Sequence, residues 1–161
     1  MRPDSSGPVL LCYDGSGDAV SAIVTAGRLF AGRRAIVLAA WEPFLPVYTG
    51  YPGWPVSSDE PMKANAERLA AEGCERARRA GIEATPMVAE ANDGVGRAIL
   101  AAADAAGASV IVMGTRGLTG LRSLLLGSVS HEVLQHAHRP VAIVPSFPLA
   151  AARTGARRRR R

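Results

Sequence analysis

The chain has 161 residues, 48% apolar but only 5% aromatic, and a formal charge of +5; that length suits one domain with a real core, and the small apolar residues favour helix-on-sheet packing over an aromatic-rich binding face. Six arginines, Arg153 and Arg157 through Arg161, follow residue 152, and setting them aside takes the net charge from +5 to −1. A basic nucleic-acid module is thereby excluded for the body of the protein.

In chain order, residues 9–13 are a short apolar run, read as a buried strand, that leads into Asp14-Gly15-Ser16. Residues 18–30 place Ala19, Ala22, Ile23, Ala26, Leu29 and Phe30 on one helical face, with Ser16 as N-cap. Residues 35–41 form a second buried run. The pattern fails over 42–59, where Pro43, Pro46, Pro52 and Pro55 alternate with Tyr48, Tyr51 and Trp54; this is read as a long loop of the lid or binding kind. A helix is predicted over 62–80, ended by Gly81, then a strand over 84–89, a helix over 94–106, a strand over 110–113, a helix over 128–137 and a last strand over 141–144. Strands alternating with helices predict an α/β fold, an open five-stranded parallel sheet wound on both faces.

After the fourth strand the sequence reads Gly114-Thr115-Arg116-Gly117, nine residues over 118–126, then Gly127-Ser128-Val129-Ser130. Glycines that let backbone N–H groups approach an anion, followed by Gly-Ser opening a helix, are a way to cradle phosphate. A P-loop is excluded, because no lysine follows Gly127. The G-x2-G-x9-G-[ST] spacing resembles the phosphate and ribose motif of the universal stress protein family, in its ATP-binding branch. The run from Val9 to Ser16 resembles that family's first strand and Asp-x-Ser turn, and Arg139-Pro140-Val141-Ala142-Ile143-Val144-Pro145 its last strand.

The resemblance implies a Rossmann-like sheet of the adenine-nucleotide alpha-hydrolase type, covering residues 1–147 as one domain. It implies that Asp14 and the backbone around Cys12 lie near the adenosine and that Ala40 meets the adenine edge through its main chain. It places Gly114, Thr115, Arg116 and Gly117 along the ribose and phosphates, and sets Gly127, Ser128, Val129 and Ser130 to bind phosphate. The implied ligand is ATP, with Mg2+ between phosphate oxygens. A homodimer through the edge strand from Val141 to Val144 is also implied, with nucleotide occupancy biasing conformation, dimerisation or partner choice. Two stretches depart from the family: Ala39-Ala40 stands where a His-Val pair is common, and Ala91-Asn92-Asp93-Gly94-Val95-Gly96 where a Gly-x-Pro turn is frequent.

Plainer roles stand beside these. Gly114 and Gly117 serve equally as a tight turn, Asp14 as turn chemistry and Ser128 as a cap. Arg116 is preferred over Arg122 as the cation beside the phosphates. His131, His136 and His138 lack metal-ligand spacing, and Cys12 and Cys74 suit buried thiols in a reducing compartment. No catalytic residue is assigned, since neither a nucleophile elbow nor HExxH occurs. A slow ATPase or nucleotidyl-transferring enzyme and a nucleotide-free interaction scaffold remain the alternatives. No apolar run reaches the ~18 residues of a membrane helix, and Met1 to Gly7 is too polar and short to precede a secretory core, so a soluble cytosolic protein is expected. Residues 148–161 are read as a basic, disordered tail suited to acidic surfaces.

Overall fold

The computed structural model describes residues 6–43, 59–117 and 126–145. Most of the predicted 42–59 loop, residues 118–125 of the glycine spacing (Arg122 among them) and residues 146–161 with the basic tail lie outside the described residues.

Strands and helices alternate as β1 (Val9–Cys12), α1 (Gly17–Leu29), β2 (Arg34–Trp41), α2 (Glu60–Arg79), β3 (Glu83–Glu90), α3 (Val95–Ala105), β4 (Val110–Gly114), α4 (Ser128–His136) and β5 (Val141–Val144). The sheet is parallel throughout, in the order β3-β2-β1-β4-β5. It is the predicted α/β architecture. Among the described residues no helix is long and apolar enough to cross a membrane.

The central strands read as unbroken apolar runs because both their faces are covered. Val9 and Leu11 join Val37, Val112, Cys74 and Ala77 under α1 and α2, while Leu10 joins Leu38, Ile111, Met113, Ile99 and Val133 under α3 and α4. Each fully buried Leu, Ile or Val side chain contributes roughly 1.5–3 kcal/mol. From β1 the chain steps outward to β2 and β3, then crosses back to β4 beside β1 and continues to β5. Right-handed crossovers taken in opposite directions put the first two helices on one face and the last two on the other.

Helix ends follow local chemistry. Ser16 Oγ accepts from the Ala19 N–H at 3.2 Å and opens α1. α2 begins at Glu60, earlier than the predicted 62, because Pro61 sits in the first turn, where its missing N–H costs nothing. Its far end closes with Gly81 at φ +84°, the Ile82 N–H donating to Ala77 C=O and the Gly81 N–H to Arg78 C=O. α3 ends in the same way at Gly107, and Arg139 donates to the Ala103 carbonyl there at 2.8 Å. Pro86 lies in β3, an edge strand; the Ala91 N–H donates to Trp41 on β2, so even-numbered β3 residues, Pro86 included, turn their missing or present N–H outward.

Candidate functional site

β1 and β4 are neighbours, Val9 opposite Val110 and Leu11 opposite Val112, and the chain leaves their carboxyl ends in opposite directions. Such a switch point leaves a crevice in the sheet where ligands bind. Here it is a cleft of about 570 Å³, including its open mouth. Of the residues singled out from sequence, Cys12, Asp14, Ala40, Gly114, Arg116, Gly117, Val129 and Ser130 line it, whereas Thr115, Gly127 and Ser128 do not. Its apolar floor, made by Leu38, Met113, Val95 and Ile99, was not expected from the sequence. A signal was present: Val95 and Ile99 are one helical turn apart, and Leu38 shares the strand face of Ala40.

The polar residues of the wall hold one another. Asp14 Oδ1 accepts from the Ser16 N–H at 2.9 Å, which fixes the turn between β1 and α1. Gly117 lets the segment after β4 lie against that carboxylate, since a Cβ there would stand 2.8 Å from Asp14 Oδ2. Gly114 admits the first turn of α1: a Cβ there would stand 2.7 Å from the Asp18 Cβ. Asp18, unremarked in the sequence, then accepts from Thr115 Oγ1 at 2.5 Å and lies 3.6 Å from Arg116 Nε. On the far side, Ser130 Oγ donates to the Gly114 carbonyl at 2.9 Å, and the Gly127 N–H, expected to face an anion, donates to the Thr115 carbonyl at 2.8 Å. The N–H groups of Ser128, Val129 and Ser130 open α4 without intrahelical acceptors, a locus that favours negative charge.

Main-chain groups complete the cleft. The β1–β2 ladder ends where the Tyr13 N–H donates to the Leu38 carbonyl at 2.9 Å. Two residues further along β2, on the same side of the strand, Ala40 turns its N–H and C=O beyond the end of β1 into the cleft. A donor and an acceptor side by side suit the edge of a heterocyclic base. Burial and then the Asp14 charge push the Cys12 thiol up to about 12, which disfavours the thiolate at neutral pH. Tyr13, also part of the lining, donates its hydroxyl to Glu72 Oε1 at 2.7 Å, and Arg76 Nε donates to the same oxygen at 3.0 Å. Among the described residues no group of three or more His, Cys, Asp or Glu is placed to hold a metal ion.

Residues 6–145 match the universal stress protein family. A universal stress protein of Thermus aquaticus is 36% identical over 142 residues, spanning 84% of this chain and 96% of that protein. Among solved structures, a universal stress protein in complex with cAMP superposes with a TM-score of 0.59 at 28% identity, covering 87% of this chain and 97% of that one. One from Archaeoglobus fulgidus in complex with dAMP superposes with a TM-score of 0.62 at 22% identity, covering 86% and 97%. With a family match that spans all the described residues and a relative 36% identical over nearly its whole length, this chain belongs to the universal stress protein family.

Proposed function

We propose that the cleft binds an adenine nucleotide, ATP in the working state, and that occupancy regulates a cytosolic stress-response protein by biasing its dimerisation or choice of partner. The observation that carries this reading is the pairing of Ala40's outward peptide groups with the open N–H groups of α4, at the two ends of one cleft over an apolar floor. A base would lie over Leu38, Ile99 and Met113 with its edge at Ala40. Its phosphates would reach the Gly114–Gly117 wall and the first turn of α4. The cAMP complex of the 28% identical relative supports the same ligand class.

Fit to magnesium is narrower. Without a cluster of protein ligands among the described residues, a divalent ion would be carried on the phosphates and supply charge neutralisation there. One observation favours a nucleotide-free scaffold as the second reading: Asp14, Gly114, Gly127 and Ser130 each have a role inside the protein. Calorimetric titration with Mg-ATP decides between the two. Micromolar binding is expected, weakened at least about tenfold by Ala40→Leu, which puts bulk into the cleft, with the thermal midpoint little changed. A folded wild type that takes up no adenine nucleotide leaves the scaffold reading.

A further inference from the structure

Asp18 does not line the cleft, yet it is paired with Arg116, a cation that does. The arrangement begins with Gly114, whose missing side chain lets the first turn of α1 close on the end of β4. At that approach Asp18 Oδ2 accepts from Thr115 Oγ1 at 2.5 Å and lies 3.6 Å from Arg116 Nε. The two charged side chains are only 12% and 17% exposed, so salt screens the pair weakly. Arg116 therefore meets the cleft with its charge already compensated, and Asp14 adds a second carboxylate to the wall. Each further phosphate charge brought to this wall meets two carboxylates and one guanidinium among the described residues.

We propose that Asp18 is the positioning residue that sets the ligand charge this cleft accepts. By holding Arg116 it favours an adenine nucleotide with a single phosphate over free ATP, and makes ATP binding depend on a divalent cation that neutralises its phosphates. This rests on the nucleotide reading of the cleft. Asp18→Asn keeps an oxygen acceptor for Thr115 while removing the charge, so the effect on selectivity separates from the effect on folding.

The test is calorimetric titration of the full chain with AMP, with ATP in a chelator and with Mg-ATP. It uses the wild type, Asp18→Asn, Arg116→Gln and the double variant. The wild type is expected to bind AMP and Mg-ATP more tightly than chelated ATP. Asp18→Asn is expected to shift the ATP-to-AMP affinity ratio toward chelated ATP on the order of tenfold, and that shift is expected to vanish when Arg116 is glutamine. A ratio unmoved by Asp18→Asn, or moved equally without Arg116, overturns the proposal while leaving the site intact. Tighter binding of chelated ATP than of AMP by the wild type overturns it without any variant. If neither AMP nor Mg-ATP binds, the nucleotide reading itself fails and takes the proposal with it.

Discussion

Two glycines of the phosphate-like motif do different work at the level of single residues. Gly114 is required by the protein itself: a Cβ there would stand 2.7 Å from the Asp18 Cβ and 2.8 Å from the Asp18 carbonyl carbon, in a packed and partly backbone environment. At Gly127 the nearest heavy atom to an added Cβ is the Thr115 carbonyl oxygen at 3.2 Å, and the backbone, at φ −64°, is open to any residue. Gly114→Ala is therefore expected to cost about 1–3 kcal/mol by overpacking, and Gly127→Ala less than about 1 kcal/mol. Urea unfolding of both variants checks this. Equal losses would mean that the approach of α1 to β4 is not what demands glycine at 114. The distinction also guides ligand work, because a binding defect in Gly114→Ala would be confounded with displacement of Asp18.

At the scale of elements, α2 is joined to the end of β1 by one buried phenol. Gly73 lets the helix lie close, its absent Cβ being 3.1 Å from the Tyr13 ring, and the Tyr13 hydroxyl reaches Glu72 at 2.7 Å. Burial, then the hydrogen bond to Glu72, pushes Tyr13 up to about 12 from its ordinary 10.0. The same bond, helped by Arg76, holds Glu72 below its ordinary 4.5. The signs are opposite on the pH axis. A lowered carboxyl stabilises the fold above its unfolded value and loses that contribution as pH falls through the lowered value, whereas a raised phenol stabilises below about 10 and loses its contribution between about 10 and 12. Tyr13→Phe is expected to flatten the alkaline loss of the urea midpoint, and Glu72→Gln the acid loss below about pH 4.5. Unchanged pH profiles in both variants would show that the bond does not hold α2. The ion pairs of Glu72 with Arg68 and Arg76 are partly exposed and contribute at most about 0.5 kcal/mol each.

These elements also mark what a sequence can and cannot carry. The strands were legible because a parallel strand covered on both faces reads as a continuous apolar run, as Val110-Ile111-Val112-Met113 does, and α2 ended where Gly81 predicted. Its start was misplaced because Pro61 reads as a breaker unless the helix is known to begin just before it. Eight of the eleven candidate residues line the cleft, brought there by the neighbouring ends of β1 and β4, with β2 and the start of α4 beside them. Asp18 was not legible: its partner Thr115 is 97 positions away, and no periodicity encodes a pair made where the first turn of α1 meets the end of β4. The same holds for Tyr13 and Glu72, 59 positions apart.

At the scale of the whole molecule the sheet has two edges, and they are unequally defended. β3 carries Glu83 and Glu90 at its ends and Pro86 where an outward N–H would stand, features that discourage pairing with another strand. β5 is Val141-Ala142-Ile143-Val144, without charge or internal proline, and three of its four residues are only half-buried. The Thr115 N–H donates to the Val144 carbonyl and the Ile111 N–H to the Pro140 carbonyl, so even-numbered residues face β4 while Val141 and Ile143 present their peptide groups to the open side. An apolar edge left unguarded among the described residues is a template for a second copy, and two copies related by a two-fold axis would pair β5 with β5. A homodimer through this edge is the expected outcome in solution. Val141→Pro tests it sharply: position 141 is the first residue of β5, where proline is tolerated, and the donor it removes points away from β4. Sedimentation velocity over a dilution series should show a dimer for the wild type and a monomer–dimer mixture shifted toward monomer for Val141→Pro, with far-UV circular dichroism unchanged. A wild type that sediments as a monomer throughout would mean that the β5 edge is protected by something other than a second copy of the chain.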